Sequence, residues 1–193
     1  MNGGVFALIV LVVLAIAAAA WLVVRRQRTE RLRERFGPEY DRTVEASDDQ
    51  GAAEKELRQR EQRRERIQVV PLVPAVRERY LETWHRTQAL FVDSPTEATR
   101  RADGLVAEVM RERGYPVEDF EQRAADLSVD YPRLVQDYRA ARAIADRNDR
   151  SEAGTEDLRQ ALVHYRSLFE ELLEAGENRK ADDSADHSVE EAR

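Results

Sequence analysis

The sequence contains no cysteine, which excludes disulfides, thiolate metal sites and cysteine nucleophiles and gives no sign of an oxidising compartment. Histidine is almost as scarce. His85, His164 and His187 are the three, and no two stand at the i, i+4 spacing with which one helix presents a pair of metal ligands. Neither a metal site nor a cofactor is expected. A Gly-rich phosphate loop, a GxSxG elbow, an HExxH pair and a dinucleotide fingerprint are all missing, which weighs against an enzyme. No residue is assigned a catalytic, cofactor-binding or metal-binding role. Residues 1–24 lack charge altogether, so every Asp, Glu, Lys, Arg and His lies from Arg25 onward.

What charge there is sums to −7 over 193 residues, with a pI near 5.2. General nucleic-acid binding rests on a basic surface that neutralises phosphates, so it is not expected. Lysine occurs only at Lys55 and Lys180, leaving arginine as the source of nearly all positive charge. The length suits one ordinary domain plus extensions.

Val5 to Val24 reads VFALIVLVVLAIAAAAWLVV, twenty apolar residues, enough for a helix rising about 1.5 Å per residue to span a hydrocarbon core of about 30 Å. Trp21 stands near its end, where an amphipathic ring favours the headgroup level, and Arg25, Arg26 and Arg28 follow at once. Positive residues are retained on the cytoplasmic side, so the sequence predicts a single-pass inner-membrane protein with a short outer N-terminus (1–4) and a cytoplasmic bulk. A cleaved signal peptide is the competing reading, because Ala15 and Ala17 to Ala20 are small. It lacks a basic segment before the apolar run, and the run is longer than a signal peptide uses and continues past the alanines.

Residues 25–74 read as a charged stalk and a linker. Between Arg25 and Arg35 six arginines face Glu30 and Glu34, a basic stretch that either sets topology alone or also touches anionic lipid heads. Gly37 and Pro38 should end this helix. A joint at 46–51 precedes AAEKELRQREQRRERI, a strong helix former in which Leu57 is the only large apolar residue before Ile67. Its i, i+4 pairs, Glu54 with Arg58 and Glu56 with Arg60, support a solvated spacer. A coiled-coil arm would need apolar a and d positions that are missing. Pro71 and Pro74 in VVPLVP then force an extended connection.

From residue 75 to 175 amphipathic segments follow one another with no strand-like alternation, so the fold class is all-α: a small helical bundle behind one transmembrane helix and its stalk. Val76, Tyr80, Leu81, Trp84 and Phe91 mark the first segment. Ser94, Pro95 and Glu97 predict a capping box for the second, whose stripe is Ala98, Ala102, Leu105 and Val109. Gly114 predicts a C-terminal cap. Asp130 is read as the cap of a helix carrying Leu134, Tyr138 and Ala141. Thr155 opens the last helix, with Leu158, Leu162, Tyr165, Leu168, Phe169 and Leu172 on one face; Gly176 should end it, leaving residues 176–193 as a disordered acidic tail.

Trp84, His85, His164 and Tyr165 form the most site-like grouping, although half-buried histidines at the edge of a core account for it better than acid–base catalysis does. Glu118, Asp119 and Glu121 read as a charged first turn. The stretches RFGPEY (35–40), FVDSP (91–95), VMRERGYP (109–116), DFEQRAADLSVD (119–130) and HYR (164–166) give the chain from Arg35 to Leu173 its resemblance. It resembles a group of uncharacterised bacterial proteins with an N-terminal membrane or signal-like segment. That resemblance implies a bacterial inner-membrane setting and carries no assigned activity, cofactor or catalytic residue.

The expected function is therefore a membrane-tethered interaction or scaffold module. Its partners are the bilayer, a protein and, through the juxtamembrane arginines, anionic lipid. A ligand sensor or enzyme with a pocket in the bundle, and an extracytoplasmic module released by signal cleavage, are the alternatives.

Overall fold

The computed structural model describes the backbone of residues 2–190 and the side chains of residue 8 and residues 11–174. Among the described residues the protein is all-α, with eight helices and no strand. It divides into two compact units, residues 1–58 and 59–193.

Helix α1 (Asn2–Phe36) opens the first unit. Residues 11–24 are exposed without a break, and since that is more than three turns, apolar side chains face outward on every side. Leu11, Leu14, Ile16 and Trp21 keep between 61% and 64% of their surface. The span expected over Val5–Val24 falls partly outside the residues whose side chains are described. Among the described residues no helix is long and apolar enough to cross a membrane: the run 11–24 rises only about 21 Å, against about 30 Å of hydrocarbon.

Gly37 ends α1 as predicted, at φ 50°, a conformation that costs glycine little. Pro38 then occupies the first turn of α2 (Pro38–Glu45). Asp49 caps α3 (Gln50–Arg66) by accepting from the Ala52 N–H at 3.0 Å. The charged sequence of α3 predicts a solvated spacer, and burial corrects that expectation. Ala53 and Leu57 are fully buried, and so, within the same unit, are Phe36 and Glu39, with Tyr40 1% exposed. The largely buried Glu54 carboxylate accepts from Thr29 of α1 at 2.7 Å, Gln50 at 2.9 Å and the Tyr40 hydroxyl at 3.2 Å. Desolvation opposes its charge, but those hydrogen bonds and Arg58 outweigh burial and hold its pKa below the usual glutamate value.

The second unit takes in the end of α3, the extended stretch 67–73, α4 (Pro74–Leu90), α5 (Pro95–Glu112), α6 (Phe120–Asp130), α7 (Leu134–Asp149) and α8 (Thr155–Glu190). Helix α8 lies against both α5 and α7, α4 packs on α5, and α6 on α7. Each predicted stripe points inward, since Trp84, Ala102, Val109, Tyr138, Leu168 and Leu172 all belong to one buried cluster. The extended stretch joins it, with Ile67, Val69 and Leu72 packed on the cluster and the Val70 N–H donating to the Arg113 carbonyl at 3.0 Å.

Three predicted helix ends differ. Ser94 is the N-cap of α5 and Pro95 follows it, but the Ser94 side chain makes no cap bond. The box cannot close, because the Ser94 N–H that Glu97 should reach donates to the Leu90 carbonyl at 2.8 Å. Glu97 pairs instead with Arg100 and Arg101. Asp130 does not cap α7; it ends α6, whose own cap is Asp119, bonded to the Gln122 N–H at 2.8 Å. Helix α8 runs on past Gly176, and the acidic tail expected there lies outside the residues whose side chains are described.

Gly114 behaves as predicted. Its φ of 91° closes α5 with two backbone bonds, Gly114 N–H to Arg111 and Tyr115 N–H to Met110, both at 2.9 Å, the Schellman pattern. A Cβ at this position would lie 2.5 Å from the Gln68 carbonyl oxygen. Gly114→Ala is therefore expected to cost about 2 kcal/mol, from left-handed strain and displacement of the extended stretch. Urea denaturation checks it. Gly104→Ala, exposed within α5 with open space around it, should instead gain slightly, and a Gly114→Ala variant no less stable than that control would contradict the close approach.

Candidate functional site

The grouping suggested by sequence comes apart in the bundle. Trp84 is 2% exposed and stacks on Phe169 with ring centroids 4.8 Å apart. Tyr165 is fully buried, edge-on to Tyr138 at 6.0 Å. Both are core residues. His85 is exposed, whereas His164 is half-buried, its Nδ1 3.1 Å from Asp137 Oδ1 across α7 and α8. An imidazole held by one carboxylate resembles the base and orienting acid of a catalytic triad; no described interaction supplies a nucleophile. The acidic run at the start of α6 is spent on structure as well, with Asp119 capping and Glu121 bound to Arg139 at 2.6 Å.

A small cleft of about 60 Å³ opens between α5 and α7, lined by Thr96, Thr99, Arg100, Asp103, Arg142 and Asn148 among others. Its charges are largely paired: Arg100 with Glu97 and Asp149, and Arg142 with Asp146 and Asp103. Organic ligands commonly occupy cavities of about 300–1,000 Å³, so this cleft has room for little more than water. Among the described residues no group of three or more histidines and carboxylates could hold a metal.

A larger polar cluster lies where the extended stretch meets the bundle, and sequence reasoning missed it. Asp130 accepts from both the Arg64 Nε–H and the Tyr115 hydroxyl. Burial, reinforced by that carboxylate, pushes the Tyr115 hydroxyl far above its ordinary pKa, so it stays a donor. Arg64 also donates to the Ile67 carbonyl at 3.1 Å and lies over the Tyr115 ring. Beside it, Arg113 is 1% exposed and donates to the Tyr131 hydroxyl and the Leu172 carbonyl, both at 3.0 Å. Each of these side chains is held by another or by a backbone carbonyl, so the cluster fastens segments together. The signal available in sequence was RERGYP, in which an arginine, glycine and tyrosine surround a helix end.

Asp126 is the exception. It is fully buried; Oδ1 accepts from Gln122 at 2.9 Å, but Oδ2 has no partner among the described residues. Desolvation raises its pKa although Gln122, Arg63, Arg60 and Arg64 work against it. An acid whose folded pKa is raised destabilises the fold above that pKa and is neutral to it below the unfolded value. Asp126→Asn is thus expected to raise the melting temperature at pH 7, with the gain shrinking as pH falls toward the ordinary aspartate range. Melting curves at several pH values decide it. A lower melting temperature for the variant at pH 7 would mean that the arginines outweigh burial.

The remaining candidate is α1. Its exposed apolar surface ends at Trp21 to Val24, and the Arg25 guanidinium lies 5.5 Å from the Trp21 ring centroid. Arg25, Arg26, Arg28 and Arg31 are exposed, and none has an ion pair among the described residues. Arg33 differs, lying over Tyr40 at 5.1 Å and 3.7 Å from Asp41.

In comparisons with known proteins, no family model, no curated protein and no solved structure matches this chain.

Proposed function

We propose that the protein is a membrane-tethered interaction module, with α1 as a single-pass anchor and the remainder on the cytoplasmic side. The observation that carries this reading is the exposure of α1. Residues 11–24 present apolar side chains in every direction, an arrangement that water disfavours at about 25 cal/mol per Å² and that suits hydrocarbon. Six further residues, Val5 to Val10, extend the apolar sequence to the twenty that a bilayer requires. Arginine placed after the run and absent before it favours an outer N-terminus.

The rest of the chain supports interaction over catalysis. Many of its carboxylates and arginines pair with one another, and the cleft between α5 and α7 is too small for a substrate. What a cytoplasmic partner would meet is the charged outer surface of the helical bundle. Reporter fusions after Arg35 and after Arg193, active on only one side of the membrane, test the orientation. Cytoplasmic signal from both is expected; extracytoplasmic signal from both would overturn it, and N-terminal sequencing would show whether a signal had been removed. Affinity capture of the intact protein from solubilised membranes is expected to return a reproducible protein partner.

A further inference from the structure

Four guanidinium groups follow the apolar surface of α1 with no carboxylate paired to them among the described residues, and their heights along the helix are informative. At about 1.5 Å per residue, Arg25, Arg26 and Arg28 stand roughly 1.5, 3 and 6 Å beyond Val24, and Arg31 about 10 Å. The polar layer on one side of a bilayer is about 5–7 Å thick. Three of the four therefore fall at headgroup depth, and the long Arg31 side chain, leaning toward the helix N-terminus, reaches back toward it. The first acid, Glu30, comes about 9 Å beyond Val24, where that layer has ended. Steps of about 100° also place Arg25, Arg28 and Arg31 along one strip, while Arg26 stands on the opposite side, one turn before Glu30. Trp21 stands one turn before Arg25 and beneath its guanidinium, and an indole is suited to the same interface.

We infer that Arg25, Arg26, Arg28 and Arg31 form a collar that binds the phosphates of anionic phospholipids in the cytoplasmic leaflet. The inference rests on the anchor reading and adds a lipid preference to it. A topological signal alone has no need for an acid-free interval matched to the headgroup layer. Guanidinium is also suited to phosphate, since its planar fork donates two parallel hydrogen bonds. The tyrosine- and aspartate-bound Arg33 lies outside the collar.

The test reconstitutes the full chain in phosphatidylcholine vesicles containing a minority of phosphatidylglycerol and measures immobilised lipid with spin-labelled probes of each class. The phosphatidylglycerol probe is expected to be preferred by about fivefold, the equivalent of one charge held at the surface. Raising salt to about 1 M, where screening shortens to about 3 Å, should reduce the preference. The combined Arg25→Gln, Arg26→Gln, Arg28→Gln and Arg31→Gln variant should abolish it, while Lys at the same four positions should retain most of it. Equal association of both probes with the native protein would overturn the collar and leave the anchor standing, and so would an undiminished preference in the Gln variant. If neither probe is immobilised and the protein fails to float with vesicles, the anchor reading falls and the collar with it.

Discussion

Phe169→Ala is expected to destabilise the bundle by about 4 kcal/mol, the middle of the range for emptying a buried phenylalanine site. Phe169 is fully buried in α8, the helix against which both α5 and α7 pack, so no neighbour can collapse into the space without moving a helix. The substitution also removes the stacked partner of Trp84, with centroids at 4.8 Å and planes 21° apart; such pairs contribute about 0.5–1.5 kcal/mol beyond the area they bury. A domain of this size commonly has about 5–15 kcal/mol in total, so the variant loses a large share of it. Urea denaturation in detergent, followed by tryptophan fluorescence, measures the change. Trp21 is exposed and Trp84 buried, so the shift on unfolding comes mainly from Trp84. Phe169→Leu, which refills most of the volume, should lose about 1 kcal/mol. Equal losses for the two variants would mean that the site relaxes freely.

The parts of the fold legible in the sequence are those where neighbours along one helix carry the signal. The α5 and α8 stripes, the glycine stop at Gly114 and the break at Gly37–Pro38 each involve residues within a turn or two, and all four are observed. What escaped depends on partners distant in sequence. The only large apolar residue in most of α3 is Leu57, and nothing local reveals that it is buried or that Glu54 beside it bonds to Thr29 and Tyr40. Asp130 looks like a helix cap because aspartate before an apolar segment commonly is one; Arg64, sixty-six residues away, takes its carboxylate instead. Ser94 failed as a capping box for an equally local reason that sequence does not show: its N–H was already bound by the preceding turn. The site grouping failed differently. Two histidines beside two core aromatics are compatible with a pocket, but the aromatics turn inward while His85 turns to solvent.

Arg113→Met is expected to lose about 3 kcal/mol or more and to release the extended stretch 67–73. The native guanidinium is 1% exposed and has no carboxylate partner among the described ion pairs. It is held by neutral acceptors: Tyr131 hydroxyl, Leu172 carbonyl and, at 3.4 Å, the Val70 carbonyl, with the Tyr115 ring 6.0 Å away. Burying an unpaired charge is costly, so a methionine of similar length gains back desolvation. Against that gain, it leaves the buried Tyr131 hydroxyl without its donor and removes one bond each from the part-exposed Val70 carbonyl and from the Leu172 carbonyl, which lies within α8, at about 1–3 kcal/mol for each buried bond lost. Together these lost bonds outweigh the relief of one desolvated cation, so the net change is a loss. Because those acceptors come from the extended stretch, the α6–α7 turn and α8, the damage should be spatially specific. Hydrogen exchange at the Val70 amide, which donates to the Arg113 carbonyl, should accelerate more than at amides within α4. Arg113→Lys should fall between native and Met, because an ammonium keeps the charge without the fork that reaches all three acceptors. A methionine variant at least as stable as the native chain would show that desolvation dominates. The arginine would then be a specificity device that fixes where residues 67–73 dock, at some expense of stability.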